Sequence, residues 1–282
     1  MSEPTTRVFL SGLFEAAVEA ADATAALRPH LPARPKGRLV VVGAGKGAAQ
    51  LAAAFETLWD GPVEGVVVTR YGYGCATKSI RVMEAAHPVP DAAGMAASAA
   101  LFEAVAGLGP DDLLVALVCG GGSALLPSPI GGLTLEDEQA LNEALLASGA
   151  PIGVMNAIRK HASGIKGGRL AMAAHPARVV SLVVSDVPGD DPAQVASGPT
   201  VPDAVTLADA RAMIAARGIV LPAVVEAAVG AAPDPNDPVF ARNEVHVVAS
   251  ARLSLEAAAA KARAAGVPAV ILSDAIEGEA AV

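Results

Sequence analysis

The sequence predicts an α/β protein, a mostly parallel sheet with helices on both faces, followed by the start of a second, smaller α/β domain. Three observations carry that prediction. Aliphatic runs such as GRLVVVGAG (37–45), GVVVTR (65–70) and DLLVALVCGGG (112–122) are continuous rather than alternating, as suits strands buried on both faces. Stretches of helical spacing separate them, the arrangement that βαβ connections require. Two of the runs end in glycine, where a chain leaving a strand must turn tightly. The length of 282 residues lies within reach of one large α/β unit.

Taken in order, residues 5–27 carry apolar side chains at helical spacing, and Pro29, Pro32 and Pro35 stop the helix. After the strand at 37–45, residues 48–59 read as a helix and 65–70 as a second strand, followed by the turn-rich YGYG. Asp91 is a plausible N-cap for a helix through Leu108. The strand at 112–122 follows, and then a helix opened by the capping pair Thr134 and Asp137 and ending near Gly149. Residues 151–172 read as one helix, and VVSLVVSDVPGD (179–190) as a fourth strand. AAPDPNDP (231–238) reads as a linker. Beyond it, EVHVVAS, a helix at 251–265 and PAVILSD make one further β-α-β unit. The expected domains are therefore 1–235 and 236–282, the second unfinished and the chain truncated.

Composition excludes several classes. Hydrophobic residues make up 53% and aromatics 3%, so the core is aliphatic, and a net charge of −9 argues against nucleic acid as a partner. Two cysteines, Cys75 and Cys119, provide neither a disulfide framework nor metal-ligand spacing. The acidic, interrupted N-terminus is unlike a signal peptide, and no stretch of 18 apolar residues suggests a membrane span. The expectation is a soluble, cytoplasmic protein without a membrane partner.

Four segments carry chemistry. In VVVGAGKGAA, Gly43, Gly45 and Gly47 surround Lys46 at a helix start, where N–H groups, helix dipole and ammonium together attract anions. The acid that would confirm a dinucleotide site is missing, since the next strand ends in Thr69-Arg70-Tyr71; Arg70 would suit a 2′-phosphate. A Walker A loop also fails, because Val40 and Gly47 occupy required positions. A tight turn with a solvent-facing lysine is the plainer alternative. Only six lysines occur against fourteen arginines, and Lys46 and Lys166 both sit in glycine-rich motifs.

CGGGSALLPSP lacks the second glycine of a nucleophile elbow, so Gly120, Gly121, Gly122 and Ser123 suit an oxyanion cradle or simply close packing. If 151–172 is one helix, Asn156, Arg159, Ser163 and Lys166 fall within an arc of roughly 80° at ~100° per residue, a substrate-binding face or a solvated one. His161 points away. In SDVPGDDPAQVASGPT, Asp186 lies past a strand's C-terminal end, where open α/β sheets gather ligand groups. Asp186, Asp190 and Asp191 could hold Mg²⁺ or accept a hydroxyl proton, with capping as the alternative for the last two; Ser197 opens another polar turn. His87, in HPVPD, reads as a turn histidine in preference to a site residue.

GAGKGAA, HPVPD, CGGGSALLPSP, N-x-I-R-K-H-x-S-x-I-K-G-G-R-L-A, SDVPGDDPxxVASGPTxPD and IEGEA occur in this order. Together they closely resemble the D-glycerate 2-kinase family, whose members have often been labelled hydroxypyruvate reductases. The resemblance runs from about residue 7 to 282. It implies ATP- and Mg²⁺-dependent phosphorylation of D-glycerate at its 2-hydroxyl, giving 2-phosphoglycerate. It also implies a large Rossmann-like domain and a smaller C-terminal (MOFRL) domain, with the active site in the cleft between them. Lys46 matches the family's catalytic lysine and Asp186 its SDV aspartate, while the family's C-terminal arginine has no counterpart here. The expected partners are a small anionic 2-hydroxy acid and a nucleotide, and a homodimer is compatible with the reading. The rivals are an NAD(P)H-dependent hydroxypyruvate reductase and a non-catalytic anion-binding protein.

Overall fold

The structure, a computed structural model, describes residues 3–276. Helices α1 (Glu3–Ala20) and α2 (Ala23–Leu27) replace the single helix expected over 5–27. The break falls at Asp22, whose carboxylate accepts from the Thr24 and Ala25 N–H groups and starts α2 anew. The chain continues through β1 (Leu39–Ala44), α3 (Ala48–Leu58), β2 (Glu64–Arg70), β3 (Ile80–Ala85), α4 (Ala92–Val105), β4 (Leu113–Cys119) and a short α5 (Gly122–Leu125). Then follow α6 (Leu135–Ala147), α7 (Ile152–Lys160), α8 (Arg169–Ala173), β5 (Arg178–Val184), α9 (Leu207–Ala216), α10 (Ala223–Ala228), β6 (Glu244–Ala249) and α11 (Ala251–Ala264).

The six strands form one sheet in the order β3-β2-β1-β4-β5-β6, and every pairing is parallel. Alternate residues of the inner strands serve two cores. Val40, Val42, Leu114 and Ala116 pack under α4 and α8, whereas Leu39, Val41, Val115 and Leu117 pack under α2 and α3. Burial on both faces explains why these strands read as unbroken apolar runs. A third apolar cluster, including Leu141, Leu145, Ile158 and Val225, joins α6, α7 and α10.

Four expectations change. β3 was not anticipated: it is an edge strand in which Arg81 and Glu84 interrupt the apolar residues, so no apolar run marks it. The helix expected over 151–172 stops at Lys160, where the chain turns off so that Ser163 bridges to Pro129 and the Gly164 N–H donates to the Ser128 carbonyl. It resumes at Arg169 after Gly167 and Gly168, at φ of 63° and 85°. The strand expected within PAVILSD does not form, and Val270 and Leu272 lie exposed without a partner strand. The segment expected to open a second domain instead adds β6 to the same sheet beside β5, and α11 packs on α1. A lone β-α unit buries its apolar side by joining an existing sheet edge; Val248 and Ala249 do so against Val180 and Leu182. Among the described residues no helix is long and apolar enough to cross a membrane.

Candidate functional site

The strand order reverses between β1 and β4, and open α/β sheets bind ligands outside the C-terminal ends of their strands at that point. A cavity of about 350 Å³ lies there. Its lining comes from the turn after β1 (Lys46), the segment after β3 (His87–Pro90), the start of α5 (Gly121, Ser123) and the loop after β5 (Asp186). Helices α6 and α7 supply Gln139, Asn142, Glu143, Asn156 and Arg159.

The glycines around Lys46 serve packing rather than anion capture. The Gly45 N–H donates to the Val68 carbonyl at 3.1 Å, Lys46 N–H to Gly120 at 2.9 Å, and Gly47 N–H to Cys119 Sγ at 3.2 Å. A phosphate cradle needs these donors free, so the cradle expected at Gly43, Gly45 and Gly47 is corrected. A β-carbon on Gly43 or Gly45 would collide with the β4 backbone, and bare glycine lets the two segments meet. The turn nevertheless carries the Lys46 side chain to the cavity, and no ion pair among the described residues engages it.

The glycines after β4 shape the wall directly. A side chain on Gly120 would collide with the Asp186 carboxylate, so Asp186 rests on bare backbone. Gly121 adopts φ 85°, and a β-carbon there would come within 2.9 Å of the Lys46 side chain and 3.1 Å of His87 Nε2. Gly122 faces Ala196 in the same way. Ser123 Oγ shares a 2.8 Å hydrogen bond with Ser197 Oγ, so Ser197 is buried behind the wall. Ala196 and Ser197 hold φ of 53° and 58°, sparsely populated for residues with a side chain.

Arg159 is held ready. Its Nε donates to Asn142 Oδ1 at 2.6 Å and its Nη1 to Asn156 Oδ1 at 3.0 Å, while Asn156 Nδ2 donates to the Gln194 carbonyl at 3.1 Å. No carboxylate among the described residues pairs with it. Burial pulls its pKa below the ordinary guanidinium value, against the opposing pull of Glu138. A desolvated cation fixed by two neutral amides gains most from an incoming carboxylate or phosphate.

Other expected residues lie elsewhere. Lys166 is buried, its ammonium donating to Glu138 Oε1 and the Leu126 carbonyl, each at 2.9 Å. Ser163 Oγ accepts from the Ile165 and Lys166 N–H groups. Neither lines the cavity, since the helix meant to bring them beside Arg159 has ended. Asp190 occupies a turn with φ 54°, and Asp191 caps the Ala193 N–H at 3.0 Å. No cluster of three or more metal-ligating side chains occurs among the described residues, so Asp186, Asp190 and Asp191 do not converge as a three-carboxylate metal site. Cys119 is buried, and that burial pushes its thiol up to about 12, which removes it as a nucleophile.

His87 is the residue that sequence reasoning undervalued. It lines the cavity, and no hydrogen bond from its ring is found among the described residues. Burial lowers its pKa, Lys46 and Arg70 lower it further, and Asp186 opposes them. The α6 contributors were missed altogether, although Gln139, Asn142 and Glu143 recur at the spacing of one helical face.

Residues 9–230 match the family described as "Domain of unknown function (DUF4147)". The chain belongs to this family. An Agrobacterium vitis protein named "Putative hydroxypyruvate reductase" is 52% identical to this DUF4147 chain over 280 residues, covering 99% of the chain and 64% of that protein. A D-glycerate 2-kinase of Thermotoga maritima is 41% identical over 204 residues, 72% of the chain and 49% of the relative. The crystal structure of glycerate kinase from Thermotoga maritima superimposes with a TM-score of 0.85 at 33% identity, covering 95% of the chain and 65% of that structure. The chain thus spans 64% of the length of its Agrobacterium vitis relative.

Proposed function

We propose that the cavity binds D-glycerate and the terminal phosphate of ATP, and that the protein acts as a D-glycerate 2-kinase yielding 2-phosphoglycerate. One observation carries the reading: two cations without anionic partners, Lys46 and Arg159, face one cavity that also holds Asp186. The glycerate kinase names of its relatives point the same way. Arg159 takes the substrate carboxylate. The 2-hydroxyl oxygen bonds to the γ-phosphorus as the bond to the β–γ bridging oxygen breaks and ADP leaves, Asp186 takes the hydroxyl proton, and Lys46 offsets charge on the moving phosphoryl group. Phosphoryl transfer needs mainly positioning and neutralisation of charge, and this constellation offers both.

Asp186 is a single carboxylate, which fits the sparse protein donor set with which Mg²⁺ accompanies nucleotide phosphates. When bound, the ion would neutralise phosphate charge. Every lining residue falls between Lys46 and Ala196, so the wall belongs to the segment 1–235. A cytoplasmic location belongs to the same proposal. Hydroxypyruvate reduction is less well supported, because the amides of residues 45–47 are occupied and no acid follows β2 to bind a ribose.

Phosphorus NMR of D-glycerate with MgATP tests the reading. The chain is run beside a version extended with the C-terminal part of the Agrobacterium vitis relative. A 2-phosphoglycerate signal that Lys46→Ala abolishes is expected. No new phosphate ester from either protein would overturn the reading, and NADPH oxidation with hydroxypyruvate would replace it.

A further inference from the structure

The chain contains two tyrosines, Tyr71 and Tyr73, and both sit in the loop between β2 and β3. Both are exposed, by 54% and 44%, in a chain whose aromatic content is 3%. The loop is firmly built. Glu84 Oε1 accepts from the Gly72 N–H at 3.1 Å and the Gly74 N–H at 2.8 Å, and the Tyr71 hydroxyl donates to Asp91 at 2.7 Å. An aromatic pair held this rigidly toward solvent is an unusual use of scarce residues.

The loop adjoins the catalytic turn. Gln50, in the first turn of α3 after Lys46, donates from Nε2 to the Tyr73 carbonyl at 3.0 Å. Thr69 Oγ1 donates to the Lys46 carbonyl at 3.0 Å. Arg70 lies with its guanidinium carbon 3.5 Å from the centre of the Tyr73 ring. Its Nε is buried without an acceptor, and no carboxylate among the described residues pairs with it. A cation lacking an anion therefore lies on an exposed aromatic ring, one residue after the threonine that bonds the Lys46 carbonyl.

We propose that this loop seats the nucleoside end of the nucleotide, the base stacking on Tyr73 and a phosphate lying beside Arg70. The proposal rests on the kinase reading and extends it by giving the nucleotide a direction, from the phosphates at Lys46 across the end of β2 to the base. A base is favoured over a protein partner because the aromatic patch is confined to Tyr71 and Tyr73 and adjoins the turn that carries Lys46. Stacking also tolerates any base, since each presents a π face.

Calorimetry on the full chain with two probes, ATP and inorganic tripolyphosphate, tests the subsite. Wild type is expected to bind ATP at least about tenfold more tightly than tripolyphosphate. Tyr73→Ala should weaken ATP at least about fivefold and leave tripolyphosphate within about twofold, whereas Tyr73→Phe retains the ring and the affinity. Arg70→Met should weaken both probes. Equal affinity of wild type for the two probes overturns the subsite, as does an unchanged ATP affinity in Tyr73→Ala. Tighter binding of NADPH than of ATP overturns it in favour of a 2′-phosphate at Arg70, and failure of both probes to bind overturns it as well. The kinase reading fails separately, through the absence of 2-phosphoglycerate in the phosphorus NMR experiment. Phosphoryl transfer by Tyr73→Ala with wild-type KM for ATP would sink the subsite alone.

Discussion

At the scale of single residues, His87 shows how neighbours set a role that composition cannot. Sequence offers a histidine before a proline, which reads as a turn histidine in preference to a site residue. The fold places its ring against Gly121 with Lys46, Arg70 and Asp186 around it. Burial favours the neutral ring, and the two cations favour it further. The sign follows: the unfolded chain protonates His87 near its ordinary 6.5, the folded chain only at lower pH. Between those values the unfolded state binds more protons, so acidification below about 6.5 costs folding stability at this residue. Ring-proton NMR should give His87 a midpoint below 6.5. Lys46→Met should raise that midpoint without restoring it fully, because burial, the larger cause, remains. An unmoved midpoint would show that Lys46 exerts no field on the ring and would remove the electrostatic link between them.

Elements explain which parts of the site were legible in the sequence. The inner strands were, because burial on both faces leaves no polar residue to interrupt them, and so was the placing of Lys46 and Asp186 just past strand ends. The edge strand β3 was not, since Arg81 and Glu84 break its apolar run. Of the helix face expected for Asn156, Arg159, Ser163 and Lys166, the first two members line the cavity, while α7 ends at Lys160 and Ser163 bridges to Pro129. Lys166 instead ties α6, through Glu138, to the carbonyl of Leu126 just beyond α5. Opposite outcomes are expected for the two cations. Lys166→Met strands a buried carboxylate and should cost about 3–5 kcal/mol, read as a lower urea midpoint. Arg159→Met should leave that midpoint much closer to wild type, because two amides and not an internal acid are its partners, and on the proposed function it should weaken D-glycerate binding at least about tenfold. Equal destabilisation by both would mean that Arg159 is structural.

For the whole molecule, the question is whether residues 236–282 form a separable unit. The proline-rich stretch 231–238 suggests a boundary, yet the sheet crosses it. β6 covers the outer edge of β5, the strand that delivers Asp186 to the cavity. Phe240 packs into the core with Leu170 and Val179, and a β-carbon on Gly168 would come within 3.0 Å of its ring. Val248 and Ala249 fill the opposite face, and α11 shields α1. Burying Phe240 and Val248 alone is worth about 1.5–3 kcal/mol each. That sum is a large share of a typical domain stability of about 5–15 kcal/mol. A chain ending at residue 235 would also expose the backbone edge of β5, a template for aggregation. Such a chain should lose its near-UV circular dichroism at 25 °C and elute as aggregate in size exclusion, with the cavity lost along with the β5 edge. A cooperative urea transition at the wild-type midpoint would show instead that the first 235 residues fold alone, with β6 and α11 docked on a completed sheet.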